Sequence, residues 1–230
     1  MIAVVHGPIG CGKSTALRGW MERRGWTGGM VRGWRTFFDG GGLRLASWDG
    51  WIDVAVAVGD GRRGVGGSFD PAYGARLDGF LDGVFEGGGE DGVRVLGASE
   101  CGSEHRLHTA VLPPPPVPST PKIHSGSRLP PGGTPLSEGG ECLRTLHSPN
   151  GTLPWKLDAG RFWEAAVECL GGDVGRPLVI DELGVLETMP GGLDLAALDD
   201  VVSAIKGARE AILVVQERAL PFWQRCLGFP

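Results

Sequence analysis

Gly7-Pro8-Ile9-Gly10-Cys11-Gly12-Lys13-Ser14-Thr15 decides how this chain is read. The segment fits the pattern G-x-x-x-x-G-K-[ST] at every position. Glycines at 7, 10 and 12 let the backbone turn its N–H groups inward around an anion. The spacing then assigns roles. The loop from Gly7 to Thr15 cradles phosphates, Lys13 reaches the β- and γ-phosphates, and the Ser14 hydroxyl ligates Mg²⁺. The helix that follows aims its positive end at the same place.

The flanks suit such a loop. Ile2-Ala3-Val4-Val5 is a short apolar run, as in a parallel strand buried on both faces. After the loop, Ala16, Leu17, Trp20, Met21 and Arg24 follow helical spacing with an apolar stripe.

A second run, Pro177-Leu178-Val179-Ile180-Asp181-Glu182, ends three apolar residues on two carboxylates. Ligands of open α/β sheets gather at the carboxyl ends of strands. Asp181 is therefore expected in the Mg²⁺ shell, and Glu182 as the group that orients or deprotonates an attacking water. The competing reading of Glu182 is a solvated acidic residue. Ala211-Ile212-Leu213-Val214-Val215 is a third apolar run, closed by Gln216. If it lies beside the first strand, Gln216 falls near the γ-phosphate as a sensor; otherwise it opens a surface turn.

Bulk properties narrow the classes. The 230 residues suffice for one α/β domain with an insertion. A net charge of -5 gives no basic surplus for counterion release, which argues against nucleic acid as the main ligand. No apolar stretch is long enough to span a bilayer, and the apolar start runs straight into the loop, unlike a secretory signal. The five cysteines are scattered without C-x-x-C spacing, so neither a disulfide frame nor a zinc site is suggested. A cytoplasmic protein is the simplest reading. Cys11 has a loop amide as its main asset, and its thiol lies near Lys13 and a helix N-terminus, which favour a thiolate.

Glycine and proline together make up about a quarter of the chain, which approaches the range of low complexity. Much of the proline falls between Cys101 and Gly151, in Pro113-Pro114-Pro115-Pro116, Pro118, Pro121, Pro130-Pro131 and Pro135. Such a stretch buries too little apolar surface to offset its ordering entropy, so it is expected to be a disordered or polyproline-type insertion. The histidines at 105, 108, 124 and 147 have irregular spacing and read as loop residues rather than metal ligands. Before the insertion, Gly33 to Trp48 reads as a hairpin around Asp39-Gly40-Gly41-Gly42. Strands are expected at 51–58 and 93–96. After the insertion, Asp158 caps a helix with the stripe Phe162, Ala165, Ala166 and Cys169. Leu195, Leu198, Val201, Val202 and Ile205 form another.

The element order predicts an α/β fold of the P-loop NTPase type: three layers, a mainly parallel sheet, a β-hairpin excursion and a Pro-rich disordered insertion. The expected division is residues 1–100 as the first part of the nucleotide-binding domain, 101–151 as the insertion, and 152–230 as the second part.

Three pieces together resemble the THEP-type family of small P-loop nucleoside-triphosphatases, known from thermophiles and as the human cancer-related NTPase. They are the loop Gly7 to Thr15, the hairpin Gly33-Trp34-Arg35-Thr36 … Gly42-Leu43-Arg44, and Ile180-Asp181-Glu182-Leu183-Gly184-Val185-Leu186-Glu187. The resemblance covers about the first fifty residues and the last eighty. It implies Mg²⁺-dependent, slow hydrolysis of ATP, GTP and related triphosphates. A basic residue facing the phosphates is also implied, and Lys156 stands about where it belongs. Arg44 or Arg35 offers an arginine-finger charge, against the alternative of a surface arginine. Two further readings compete. A small-molecule P-loop kinase would need an arginine-rich lid, and no arginine cluster occurs in the last third. A nucleotide-dependent partner-binding module would dock a protein through the Pro-rich insertion.

Overall fold

A computed structural model describes residues 1–8, 10–39, 42–59, 71–86, 92–97, 108–110, 143–148, 151–184 and 194–229. Five strands form a parallel core in the order β5(Val93–Gly97), β1(Ile2–Gly7), β10(Ala211–Gln216), β9(Leu178–Leu183), β2(Trp34–Phe38). Antiparallel strands extend it at both edges. On one side β6(His108–Ala110) joins β5; on the other β3(Gly42–Ser47), β4(Asp53–Gly59), β8(Gly151–Asp158) and β7(Leu143–Ser148) follow β2. Ten strands among the described residues thus make one sheet.

Helices cover both faces, which is why the core strands are apolar on both. One face packs α1(Lys13–Arg23) and α2(Pro71–Phe85) against Ala3, Val5, Val179, Ile212 and Val214. The other packs α3(Ala159–Cys169), α4(Leu195–Gly207) and α5(Leu220–Leu227) against Val4, Ile180, Leu213 and Val215. This is the expected three-layer P-loop NTPase fold. No helix among the described residues is long and apolar enough to cross a membrane.

Asp158 caps α3 as the sequence predicts, with Oδ1 accepting from the Arg161 N–H at 3.0 Å. Helix α2 is an element that the sequence reading places nowhere. Its signal is present: Tyr73, Leu77, Leu81 and Val84 follow helical spacing and are buried. Gly74, Gly79 and Gly83 obscure it, since glycine is a poor helix former. Asp82 pins α2 to α1 by accepting from Trp20 Nε1 at 2.8 Å and from Arg24 at 2.9 Å.

The hairpin is not an excursion from the sheet but its continuation. Arg35 pairs in parallel register with Asp181, and Arg32 bridges Leu178. Gly33 makes this approach feasible. It has φ +106, and a Cβ there would lie 2.2 Å from the Val179 carbonyl oxygen. Gly33→Ala is expected to cost about 2–4 kcal/mol, from backbone strain plus a displaced β2–β9 contact. Urea denaturation measures it, and a loss below about 1 kcal/mol would contradict so close an approach.

Strands β6 and β7 lie inside the 101–151 stretch, at residues 108–110 and 143–148. β7 pairs antiparallel with β8 across the boundary expected at 151. The prolines from 113 to 135 fall outside the described residues.

Candidate functional site

The site sits where β1, β10 and β9 end together. Gly7 closes β1 opposite Gln216, the last residue of β10. The loop then turns through two left-handed glycines, Gly10 at φ 81 and Gly12 at φ 92, the latter capping α1. A residue with a side chain is strained at either angle. Ile9 lies outside the described residues. α1 has no acidic residue in its first turn, so its positive end faces the loop unopposed.

Lys13 opens α1 and folds back beneath the loop, 4% exposed. Its Nζ donates to the Gly7 carbonyl at 3.0 Å and to the Pro8 carbonyl at 2.7 Å. Cys11 Sγ is a third, weaker contact at 3.7 Å. The ammonium is thus fixed by loop backbone, and no carboxylate among the described residues forms an ion pair with it.

Ser14 Oγ donates to Asp181 Oδ1 at 2.6 Å, joining residues 167 apart in the chain. Asp181 is 1% exposed. Burial pushes its carboxyl up to about 6, and the Glu182 charge pushes the same way. The Ser14 hydroxyl, Arg18 and Lys13 pull against that rise. The folded value therefore lies above the unfolded one. Asp181 favours the fold fully below about pH 4, and that contribution is lost as pH rises towards 6, at about 1.4 kcal/mol per pKa unit. Subtracting the stability profile of Asp181→Asn from that of the wild type should leave a curve falling with pH across this window. A flat or rising difference would contradict a desolvated carboxylate.

Glu182 is half-buried beside it. The register of β9 against β10 slips here: Val214 faces Asp181, while Val215 faces Leu183. Glu182 is the extra residue of this bulge, and Leu183 returns to the Ile180 face of the sheet. A bulge of this kind re-aims a side chain at a strand end. It frees Glu182 from strict alternation and leaves its charge acting on Asp181.

Gln216 packs its amide against Gly184, where a Cβ would lie 2.8 Å from Nε2. The third apolar run does lie beside the first strand, so Gln216 stands at the loop entrance. Arg35 shares Asp181's register on the adjoining strand. Its guanidinium stacks over Phe37 at 5.2 Å, and Nε is buried without a hydrogen-bond partner among the described residues. Arg44 is placed differently. Nε bonds Asp53 at 2.8 Å and Nη1 bonds Asp39 at 3.2 Å, so this charge is held between the hairpin and β4. Lys156 lies on β8, four strands beyond β9. At about 4.8 Å per strand its backbone stands near 19 Å of lateral distance from β9.

Three residues beside the loop escape the sequence reading. Arg18 donates to the Ser14 carbonyl at 3.1 Å and bears on Asp181. Tyr73 brings a buried hydroxyl, without a hydrogen-bond partner among the described residues, from α2 towards Cys11, and burial raises its pKa. His6 precedes Gly7 with an Nδ1 that has no hydrogen-bond partner among the described residues, and burial lowers its pKa against the opposing pull of Glu217. Only His6 had a local signal, its place next to the first loop glycine.

No family model and no curated protein matches the chain. Among solved structures it is similar to THEP1 from the hyperthermophile Aquifex aeolicus, with 13% sequence identity and a TM-score of 0.46, over 100% of this chain and 86% of that one. The likeness adds nothing to what the loop and the sheet order themselves establish.

Proposed function

We propose that the chain binds nucleoside triphosphates, ATP or GTP, together with Mg²⁺ and hydrolyses them slowly to diphosphate and phosphate. The observation that carries this reading is the 2.6 Å contact between Ser14 Oγ and Asp181 Oδ1 at the foot of the glycine loop. Two oxygen donors in contact suit Mg²⁺, which takes few protein oxygens and completes its shell from phosphate and water. When bound there, the ion neutralises charge on the β- and γ-phosphate oxygens.

The remaining work falls to the chain's own groups. Loop amides between Gly7 and Thr15 bind phosphate oxygens. Lys13 Nζ exchanges its weak contact with Cys11 for a phosphate oxygen, and keeps its two carbonyl anchors as a fixed mount. Its charge then meets the charge that spreads over the γ-phosphoryl oxygens in the transition state. Glu182 accepts a hydrogen bond from the attacking water and orients it, or takes its proton. Gln216 contacts the γ-phosphate from the end of β10. Arg35, next to Asp181, is better placed than Arg44 to add a positive charge.

Phosphate release from a panel of nucleoside triphosphates tests the reading, run in water alone and with nucleosides added as acceptors. Release in water at the same rate with or without acceptors is expected. Release that depends on an acceptor, with the phosphoryl group recovered on it, would replace hydrolysis by kinase chemistry.

A further inference from the structure

The amino end of β9, opposite the glycine loop, opens on a cavity of about 250 Å³. Val31, Arg32, Ile52 and Cys169 form its buried floor. Trp48 and Trp51 line its walls, and Trp51 is 64% exposed. The other exposed large hydrophobics among the described residues, Met30 and Val174, adjoin lining residues Val31 and Asp173 in the chain. Apolar surface left open to water is thus concentrated around one concavity.

Arg32 is the decisive residue. It is 7% exposed. Nη1 donates to the Leu170 carbonyl at 2.9 Å, while Nε is buried with no hydrogen-bond partner among the described residues. A desolvated cation with an unmet donor costs free energy that an acceptor oxygen would recover. Burial accordingly lowers its pKa, against the pull of Asp173. The adjacent backbone donors are already used. The Arg32 N–H goes to Pro177 and the Gly33 N–H to Cys169.

Charge on the walls limits the ligand further. Asp49, Glu168 and Asp173 line the cavity against Arg32 and Arg176. Asp49 is already held by Ser47 Oγ at 2.6 Å and the Trp51 N–H at 3.1 Å, and Asp173 by the Gly175 N–H at 2.9 Å. One floor cation and a slight acidic excess disfavour a phosphate dianion more than a single negative charge.

The geometry points to a binding site here for a compact organic monocarboxylate with a flat apolar body, its carboxylate on Arg32 and its body among Ile52, Cys169, Trp48 and Trp51. The volume sits just below the range of about 300–1,000 Å³ typical of drug-sized ligands. Nothing in the triphosphate site contributes to this one, so the two can be occupied together.

Titration of the full chain with benzoate, phenylacetate and indole-3-acetate tests this, followed by the indole N–H signals of Trp48 and Trp51 in NMR. At least one should bind with a Kd below about 1 mM, and its amide analogue should bind about tenfold more weakly or worse. Arg32→Met should lower affinity by a similar factor. Should that buried change prevent folding, Trp51→Ala, at an exposed position, carries the test and should weaken binding severalfold. Saturation with ATP and Mg²⁺ should leave the carboxylate affinity unchanged. No binding by any of the three at about 10 mM, equal binding of acid and amide, Trp51→Ala binding like wild type, or signals shifting at the glycine loop instead would each overturn the proposal.

Discussion

Replacing Lys13 with alanine is expected to abolish turnover and to weaken triphosphate binding by about tenfold or more. The physical reason lies in how Lys13 is held. Two loop carbonyls anchor Nζ, and no carboxylate among the described residues pairs with it, so its charge is left for the phosphates. Loss of a preorganised donor in a shielded site costs about a hundredfold to a thousandfold in rate, and a charged one no less. The substitution also leaves the Gly7 and Pro8 carbonyls without their partner, so circular dichroism and a melting curve must show a folded protein. Calorimetry then gives affinity and phosphate release gives rate. A folded Lys13→Ala protein with wild-type affinity and rate would remove the loop from the mechanism.

Glu182→Gln should separate binding from chemistry. The change keeps the side chain's size but removes the negative charge that orients or deprotonates water. Asp181 and Ser14 remain, so affinity for the Mg²⁺–triphosphate should persist. Hydrolysis should fall about a hundredfold or more, the scale of a positioned general base. The bulge at Glu182 makes this a local test, because the residue stands outside the ladder that holds Asp181. Single-turnover hydrolysis beside a binding titration is the pair to measure. Wild-type rates in Glu182→Gln would assign the water-directing role elsewhere, with Gln216 the next group at that end of the sheet.

Much of the site was legible because its chemistry is local. Glycines at fixed offsets, a lysine and a serine specify a loop without reference to the rest of the chain. The Asp181-Glu182 end of an apolar run is equally local. What stayed hidden depends on pairing between distant segments. The place of β10 between β1 and β9 follows from sheet order, which no motif encodes; the Gln216 position was therefore conditional on it. Arg44 looked available because its hairpin was visible, yet its partner Asp53 lies on the next strand and only register reveals the ion pair. Lys156 suited a phosphate-facing role by position in the chain, but the sheet carries β8 to the far wing. Helix α2 was lost among glycines although its apolar spacing was intact. The bulge at Glu182 was invisible for the same reason as the sheet order, since a slip of one residue against β10 leaves no mark on β9 alone.

The Ser14–Asp181 contact is the centre of this account, and calorimetric titration with a slowly hydrolysed ATP or GTP analogue tests it most directly. Titrations would be run with Mg²⁺ and with a chelator, for wild type and for Asp181→Asn. Mg²⁺ is expected to strengthen binding to the wild type by about tenfold or more, and Asp181→Asn to lose most of this gain. Equal affinity with and without Mg²⁺ in the wild type, or an undiminished Mg²⁺ effect in Asp181→Asn, would contradict it.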